Sequence, residues 1–429
     1  MTIKAMILSD LHLGSHDGVL GFAAAQAAGQ THKAYLKQRL FDKLRAALGS
    51  DTGAQRFLVL NGDTLDFSLQ NYAAAFAEGQ SFFRTLAAEN LFDEIIFIAG
   101  NHDHNVWQMA QQETLVVDQL RKGKLPHDFE HVRDALLDLK TNRLIIPGVT
   151  DVTAAASSDS FFIQGLFGPA PAKMPKLWVV YPNLFIQPAV EESHEARPIL
   201  VTHGHFFSLP WVLVTTVFPK SLQIDGCCTL EQLEQLNSPL TEMAWTALGQ
   251  AGTLTDLAHR IYGAVAKGEM GLAQKVIDEF GNYIDNEVWK GGAWNPKEWV
   301  TDAVIKGIKK FLLYLIEKGV ESGDNHKDDQ TFLDDGDNQK RIRLYLGLSR
   351  AQYSDLLKKC GLDWRAGMPQ QVVFGHTHSV IKPPRSGPFS WAWGAEIQNT
   401  GGFMKDVRKV AATAVIVDLH GRVASIPMW

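Results

Sequence analysis

Five short clusters of histidine, aspartate and asparagine mark this sequence, and each follows directly after a run of apolar residues. Asp10 and His12 lie two residues apart, an offset that sends both side chains to one side of an extended backbone. His376 and His378 repeat that offset. The other cluster residues are Asp63, Asn101, His102, Asp103, His203 and His205. One such residue after a strand is usually a cap, but five matching strand ends favour a shared site.

The residue types point to metal chemistry. Imidazole, carboxylate and amide oxygen suit Mn²⁺, Fe, Zn²⁺ or Co²⁺, and no cysteine lies in any cluster, which argues against a structural zinc site. The set is large enough for two ions if one carboxylate bridges them. Two ions about 3.5–4 Å apart can clamp the attacking and leaving oxygens of an in-line displacement and generate hydroxide near neutral pH. Such chemistry cleaves phosphoesters.

The apolar runs before the clusters have the length and composition of β-strands. They cover residues 5–8, 57–60, 95–98, 199–202 and 371–374, and two further strand patterns cover 414–418 and 422–426. Helical patterns at 31–48 and 71–88 lie between the first three. The alternation predicts a layered α/β sheet whose strands are buried on both faces. Ligands collect beyond the carboxyl ends of strands in such sheets, so strand direction would already bring the clusters together.

The residue pattern changes in the middle of the chain. From about residue 206 to 367 the pattern is mainly helical, with expected helices at 230–248, 254–265, 272–286 and 301–318 and an exposed acidic loop at 321–337. We therefore expect a catalytic core formed by residues 1–206 and 369–429. Residues 207–368 would form a mainly helical insertion or cap.

Composition limits the partners. The net charge of −6 gives no general attraction to polyanions, so no nucleic-acid partner is expected. Three cysteines without a CxxC spacing fit a reducing compartment. The chain shows no signal-peptide pattern and no run of roughly 20 apolar residues that would span a membrane. We expect a soluble, cytoplasmic protein, whose oligomeric state the sequence does not predict.

Taken in order, the clusters resemble the signature of the calcineurin-like metallophosphoesterase superfamily. The matching motifs are Asp10-x-His12, Gly62-Asp63, Gly100-Asn101-His102-Asp103, His203-Gly204-His205 and Gly375-His376-Thr377-His378, with 399–401 similar to its downstream turn. Each motif is weak alone, whereas the ordered set is specific. The resemblance covers roughly residues 3–206 and 369–427. It implies an α/β (α+β) fold, with a β-sandwich of two mixed sheets flanked by helices.

The resemblance also implies a role for each residue. One ion would be held by Asp10, His12 and His378. The other would be held by Asn101, His203 and His376. Asp63 would bridge the two ions, and a metal-bound hydroxide would be the nucleophile. His102 would stabilise the transferring phosphoryl group or protonate the leaving oxygen, oriented by Asp103. Asp66 and His104 are assigned structural roles.

The motifs depart from several branches of the superfamily. In the serine/threonine phosphatases Arg-Gly would follow Asp66, but Phe67-Ser68 stand here, and Asp103 replaces a glutamate. The opening motif resembles a bacterial branch that includes UDP-diacylglucosamine pyrophosphatases, although that group usually has arginine at the position of His102. The repair-nuclease branch fits poorly because no basic groove is evident.

Substrate choice is expected to lie in the insertion. An aromatic segment at 206–214 follows the His203 motif, and tryptophans recur at Trp289, Trp294 and Trp299. Such side chains suit capping of a nucleobase or acyl group, but they equally suit the core of a helical subdomain. Contact of the segment with a membrane or lipid is a third alternative. The candidate substrate contacts are His205, Phe206 and Trp211.

The sequence thus predicts a phosphohydrolase for a small phosphomonoester or phosphodiester. It would use two divalent ions, with manganese as the first candidate and iron, zinc, cobalt or nickel as alternatives. A lipid-linked or nucleotide-sugar pyrophosphatase is an alternative function. A non-catalytic scaffold is a further alternative, but scaffolds of this type usually lose ligands and none is missing here.

Overall fold

The computed structural model describes most of the chain outside its middle third. The described residues are 2–49, 55–68, 70–147, 161–168, 175–189, 197–212, 214–215, 229–242, 250, 271, 275, 278, 332–333, 335–362, 369–378, 380, 396–405 and 410–429. One compact unit comprises Met1–Gln250 together with Asp328–Trp429, and a second comprises Ala251–Lys327. In the second unit only three positions are described, and all three are helical. The expected helices at 254–265 and 301–318, most of 272–286 and the three tryptophans lie outside the described residues.

The first sheet carries the first three clusters. Its strands are β1 (Ile3–Leu8), β2 (Phe57–Asn61), β3 (Glu94–Ile98), β6 (Lys176–Val180), β11 (Gly401–Gly402), β12 (Ala411–Asp418) and β13 (Val423–Pro427). They lie in the order β11-β12-β1-β2-β3-β6, with β13 paired to β12. β1, β2, β3 and β6 are parallel, whereas β12 runs antiparallel to β1. The parallel strands end at one edge, as the strand–helix alternation predicts.

The second sheet carries the last two clusters. Its strands are β4 (Ala135–Asp138), β5 (Arg143–Ile145), β7 (Asn183–Gln187), β8 (Ile199–Thr202), β9 (Gln371–Phe374) and β10 (Glu396–Asn399). Their order is β10-β9-β8-β7-β4-β5, with parallel and antiparallel pairs. The expected strands at 199–202 and 371–374 are confirmed, whereas β4, β5, β6, β7, β10 and β11 were not predicted.

The two sheets face each other across an apolar layer. Ile7 and Val59 of the first sheet share one buried cluster with Val201 and Val373 of the second. Alternate residues of the same strands, such as Met6, belong to a different cluster that includes helix residues. This period-2 division follows from the pleat of a strand. The fold is therefore a sandwich of two mixed sheets flanked by helices, and the expected fold class is confirmed.

Helices cover the outer faces, and several begin where the sequence predicts. They comprise Phe22–Ala27, His32–Leu36, Asp42–Leu48, Tyr72–Glu89, His104–Gln111, Asp118–Arg121, Phe161–Phe167, Leu230–Thr241 and Gly336–Lys359, with π-helical turns at Lys37–Phe41 and Gln112–Val117 and 3₁₀ turns at His205–Phe207 and Leu209–Val212. Thr31 and Asn71 cap their helices by accepting from the backbone N–H three residues on. Among these helices, none is both long and apolar enough to cross a membrane.

The described part of 207–368 contributes two long helices, Leu230–Thr241 and Gly336–Lys359, and both belong to the same compact unit as the sheets. The ring of Tyr345 in the second of these helices stacks on Phe206, and its hydroxyl contacts Thr202 of β8 at 2.9 Å. This helix therefore packs directly against the strand that leads into the His203 motif. The boundaries of the insertion at 207 and 368 stay a prediction.

Candidate active site

The five clusters come together where β1, β2 and β3 of one sheet and β8 and β9 of the other end. Their titratable side chains, with that of Asp66, form three overlapping groups in which one ligand atom per residue lies within 4.8 Å of every other. Two of the groups consist of expected metal ligands, and the third is His12, Asp66 and His102. The first group is Asp10, His12, Asp63 and His378. The second group is Asp63, His203 and His376. Asp63 belongs to both groups, which is the arrangement that a bridging carboxylate requires.

The first group points two imidazole nitrogens and two carboxylates at a common region. His12 Nε2 lies 2.9 Å from His378 Nε2 and 3.8 Å from Asp63 Oδ2. His378 Nε2 is also 3.4 Å from Asp10 Oδ1. Burial is the main cause that lowers the pKa of His12, so its nitrogen favours the unprotonated form that can bind a cation.

The second group adds an amide oxygen. His203 Nε2 lies 3.2 Å from Asp63 Oδ2 and 3.0 Å from Asn101 Oδ1. His203 Nδ1 donates to the carbonyl oxygen of Asn61 at 3.1 Å, which fixes the ring with Nε2 toward the group. His376 Nδ1 is buried without a hydrogen-bond partner. An unpaired buried imidazole nitrogen beside carboxylates fits a cation ligand.

In the second group, Asp63 and His203 shift each other's pKa values. Burial would raise the pKa of Asp63, but His203, His102 and His12 outweigh it and hold that pKa well below its usual range. Burial opposes protonation of His203, yet Asp63 raises its pKa to about 9. The buried Asp63 carboxylate therefore favours positive charge beside it. A cation bound there would supply that charge.

The backbone of the clusters differs from the extended form expected from the two-residue offsets. Asp10, His12, Asp63, His376 and His378 all have positive φ angles, between 45° and 69°. Residues other than glycine seldom adopt this region, and each such residue costs of order 1–3 kcal/mol unless the surroundings impose it. Here hydrogen bonds impose it: the N–H groups of Asp10 and His12 donate to the carbonyl oxygens of Gly62 and Asp63 at 3.0 and 2.9 Å.

Glycines precede the ligands because the loops approach closely. A Cβ atom on Gly62 would overlap the His203 ring, and one on Gly375 would overlap the Asp10 carboxylate. Gly62 also has a φ of 83°. Glycine therefore precedes Asp63 and His376 because a side chain would not fit there, and at Gly62 also because of the positive φ angle.

His102 lies beside both groups and reaches the surface, with 19% of its side chain exposed. Its Nδ1 is 3.2 Å from Asp66 Oδ1 and also contacts Ser68 Oγ. Burial opposes protonation of His102, but Asp66 and then Asp63 raise its pKa to about 9. Asp66 thus favours the protonated form of the ring, which can donate.

Asp66, assigned a structural role from the sequence, contacts two site histidines. Its other oxygen, Oδ2, is 3.1 Å from His12 Nδ1. Burial would raise the pKa of Asp66, yet His102 and His12 keep it well below its usual range. Asp66 therefore stays ionised and orients one expected metal ligand and the expected catalytic histidine at once.

The Asp103 carboxylate binds the backbone of two loops. It accepts from the backbone N–H groups of Gly100, Asp63, Thr64 and Leu65 at 2.7 to 3.2 Å. These contacts join the loops after β2 and β3. Asp66 contacts His102 Nδ1, and the orienting role expected for Asp103 stays a prediction.

The three candidate substrate contacts are buried. His205, Phe206 and Trp211 expose 1%, 3% and 6% of their surface. The Trp211 ring lies edge-on to His205 and His376, with centroids 6.3 and 6.4 Å apart. In this structure the three residues form a wall behind the second group, which matches the packing alternative. Ser208, which sequence reasoning missed, reaches the site and lies 3.0 Å from His376 Nε2.

The sandwich fold and the paired His/Asp groups define a class of protein, and comparison with known families gives the same class. The sequence model of the calcineurin-like phosphoesterase family matches residues 3–225, slightly more than half of the 429-residue chain. The chain belongs to this family. Membership implies a hydrolase of phosphoester bonds and, as is typical of the family, binding of divalent metals. Searches of curated proteins and of solved structures give no match.

Proposed function

We propose that this protein is a dinuclear metal-dependent phosphoester hydrolase acting on a small phosphomonoester or phosphodiester. The observation that carries the proposal is the position of Asp63, which belongs to both side-chain groups. A carboxylate shared between two sets of imidazole and carboxylate donors is suited to holding two cations close together.

The donor set supports a specific assignment. Asp10, His12 and His378 would hold one ion, and Asn101, His203 and His376 the other, with Asp63 between them. Imidazole with oxygen donors suits Mn²⁺, our first candidate, and also iron, zinc, cobalt or nickel. When bound, such ions activate water and neutralise charge on the phosphoryl oxygens.

The protein's own contribution centres on His102. Because Asp66 and Ser68 hold its Nδ1, we assign the other ring nitrogen, Nε2, to the phosphoryl oxygen or the leaving oxygen. A protonated imidazole at this position would stabilise developing negative charge and deliver a proton to the departing group. Asp66 positions the ring and keeps it charged.

Hydrolysis of two chromogenic esters tests the proposal. We expect Mn²⁺-dependent cleavage of bis-p-nitrophenyl phosphate or p-nitrophenyl phosphate that is lost on chelation and restored by metal. Asp63→Asn should abolish it, whereas Asp355→Asn, an exposed aspartate on the helix Gly336–Lys359, should behave as wild type. Activity that survives chelation, or is absent from the metal-loaded protein on both esters, would contradict the proposal.

His102→Asn separates catalysis from metal binding. We expect kcat to fall by about 10²- to 10⁴-fold, the usual contribution of a general acid. Metal content, measured by inductively coupled plasma mass spectrometry, should stay near that of wild type. Loss of metal from this variant would show that His102 is a ligand instead.

Nucleotides, cyclic nucleotides, sugar nucleotides and phospholipids then form the substrate panel, and a preference for sugar nucleotides would favour the pyrophosphatase alternative.

A further inference from the structure

A buried carboxylate from outside the sheets contacts both sides of the site. Glu234 belongs to the helix Leu230–Thr241 and is only 2% exposed. Its Oε1 lies 2.9 Å from His104 Nε2, and its Oε2 accepts a hydrogen bond from the Tyr181 hydroxyl at 2.8 Å. The same hydroxyl oxygen lies 3.2 Å from His205 Nε2. We refer to His104, Glu234, Tyr181 and His205 as the Glu234 network.

The ends of this network lie next to residues of the proposed site. His104 begins the helix His104–Gln111, two residues after His102. His205 lies two residues after His203, and the two rings are 5.6 Å apart. All four members of the network are at most 2% exposed. One carboxylate therefore connects the loop after β3 with the loop after β8.

The direction of the hydrogen bonds in the Glu234 network determines which nitrogen of His205 carries the proton. A carboxylate only accepts, so the Tyr181 hydroxyl donates to Glu234. The Tyr181 oxygen is then left to accept from His205, which requires the proton of His205 on Nε2. His205 Nδ1 carries the lone pair and is buried without a partner. Glu234 thus sets both the place of His205 and the nitrogen that bears its proton.

A packing role alone does not require a carboxylate. Apolar side chains of similar volume usually hold buried helices at least as well as buried ions, because desolvating a charge is costly. Here each carboxylate oxygen has its own partner on a different loop. Such supporting contacts fix the geometry of catalytic groups.

We propose that Glu234 is a positioning residue of the active site, holding the His102 loop through His104 and the His203 loop through Tyr181 and His205. The effect on turnover rests on the proposed function, whereas the hydrogen-bond pattern does not. The region after β8 would thereby form part of the catalytic apparatus, in addition to any contact it makes with substrate.

Steady-state kinetics test the positioning role. Glu234→Gln keeps the shape but replaces one acceptor oxygen with an amide NH2 that only donates, so the side chain can no longer accept from both Tyr181 and His104. We expect kcat to fall by about 10- to 100-fold, as is usual for residues that support a site, with KM changed by less than the change in kcat. Glu231→Gln, an exposed glutamate on the same helix, is the matched control and should match wild type. Equal kcat in the two variants would overturn the proposal.

Nitrogen NMR of ¹⁵N-histidine-labelled protein tests the network without turnover. We expect His205, assigned by the signal lost in His205→Asn, to carry its proton on Nε2 in wild type. In Glu234→Gln one of the two partners must face the amide N–H, so either the His205 proton moves from Nε2 to Nδ1 or His104 Nε2 loses its proton. A wild-type His205 signal with the proton on Nδ1, or unchanged His104 and His205 signals in the variant, would refute the network.

Failure of the proposed function and failure of the Glu234 network give different results. If wild type hydrolyses no phosphoester, the proposed function fails, but the histidine spectra still decide the network. If Glu234→Gln does not fold, Tyr181→Phe removes the hydroxyl that joins Glu234 to His205 and keeps the contact between Glu234 and His104. It should lower kcat and alter the His205 signal while leaving the His104 signal unchanged. A Tyr181→Phe protein with wild-type kcat and an unchanged His205 signal would contradict the proposal.

Discussion

Asp66 touches two histidines that have different assignments, a metal ligand and a proton donor. Its oxygens lie 3.1 Å from His12 and 3.2 Å from His102, and it is fully buried. A carboxylate in this position fixes both rings and favours the charged form of His102. The two functions of the site are therefore coupled through one residue that contacts neither ion nor substrate in our assignment.

Asp66→Asn should slow turnover and shift its pH dependence. We expect kcat to fall by about 10- to 100-fold, as for other residues that support catalytic groups. Because Asp66 is the chief group that raises the His102 pKa, the variant should lose activity at a lower pH than wild type as the donor deprotonates. A pH–kcat profile checks this. An alkaline limb unchanged from wild type, with Asp355→Asn as the control, would contradict the role.

Sequence spacing was an incomplete guide at this scale. The metal-ligand candidates could be chosen because each follows a predicted strand and has a ligating side chain. The partner of His102 could not, since Asp103 is adjacent in sequence whereas Asp66 is 36 residues away and comes close only through the pairing of β2 and β3. Asp103 uses its carboxylate on four backbone N–H groups, a task that no side-chain pattern reveals.

At the scale of elements, the β3 loop is anchored by a helix that begins more than a hundred residues later. His104 bonds to Glu234 at 2.9 Å and also to Glu242, directly after the helix Leu230–Thr241. Burial opposes protonation of His104, but the two glutamates raise its pKa to about 10. Their roles could not be predicted from sequence, because neither the buried Glu234 nor the partly exposed Glu242 differs in local pattern from a solvent-facing glutamate.

This anchor predicts a pH-dependent part of the stability. The folded-state pKa of His104 lies above its ordinary value of 6.5, so its contribution is fully present below about pH 6.5 and is lost as pH rises toward 10. The slope is at most about 1.4 kcal/mol per pH unit. Urea unfolding of wild type and His104→Gln at several pH values should show a difference that shrinks as pH rises. His127→Gln, at an exposed position, is the control. A difference independent of pH would contradict this account.

Some of the strands could be predicted from the local sequence pattern alone. The strand Phe57–Asn61 was predicted as 57–60, because apolar stretches bounded by polar turns are typical of buried strands. The strand Arg143–Ile145 has only three residues and one buried side chain, too little to distinguish it from a loop. The division into two sheets is a long-range property, since β8 pairs with β9 across more than 160 residues. Without the family resemblance, alternation alone favours one layered sheet.

At the scale of the whole molecule, the proposed ions join the two sheets. Asp10, His12 and Asp63 follow strands of the first sheet, whereas His203, His376 and His378 follow strands of the second. Five of these six residues, all except His203, have the left-handed backbone that needs support. Cations bound to the buried carboxylates and imidazoles at this edge would be held by residues of both sheets. Metal binding should therefore favour the closed sandwich over the unfolded chain.

Metal binding should consequently raise the melting temperature through linkage. A ligand that binds only the folded chain adds RT ln(1 + [L]/Kd), about 2.7 kcal/mol for each ion at a concentration 100 times its Kd. We expect Mn²⁺ to raise the melting temperature of chelator-treated wild type and of Asp355→Asn. Asp63→Asn removes the shared carboxylate and should respond much less. If Mn²⁺ raised the melting temperature of Asp63→Asn as much as that of wild type, the stabilising ions would bind elsewhere. Ions that connect the two sheets need Asp63, the residue that both groups share.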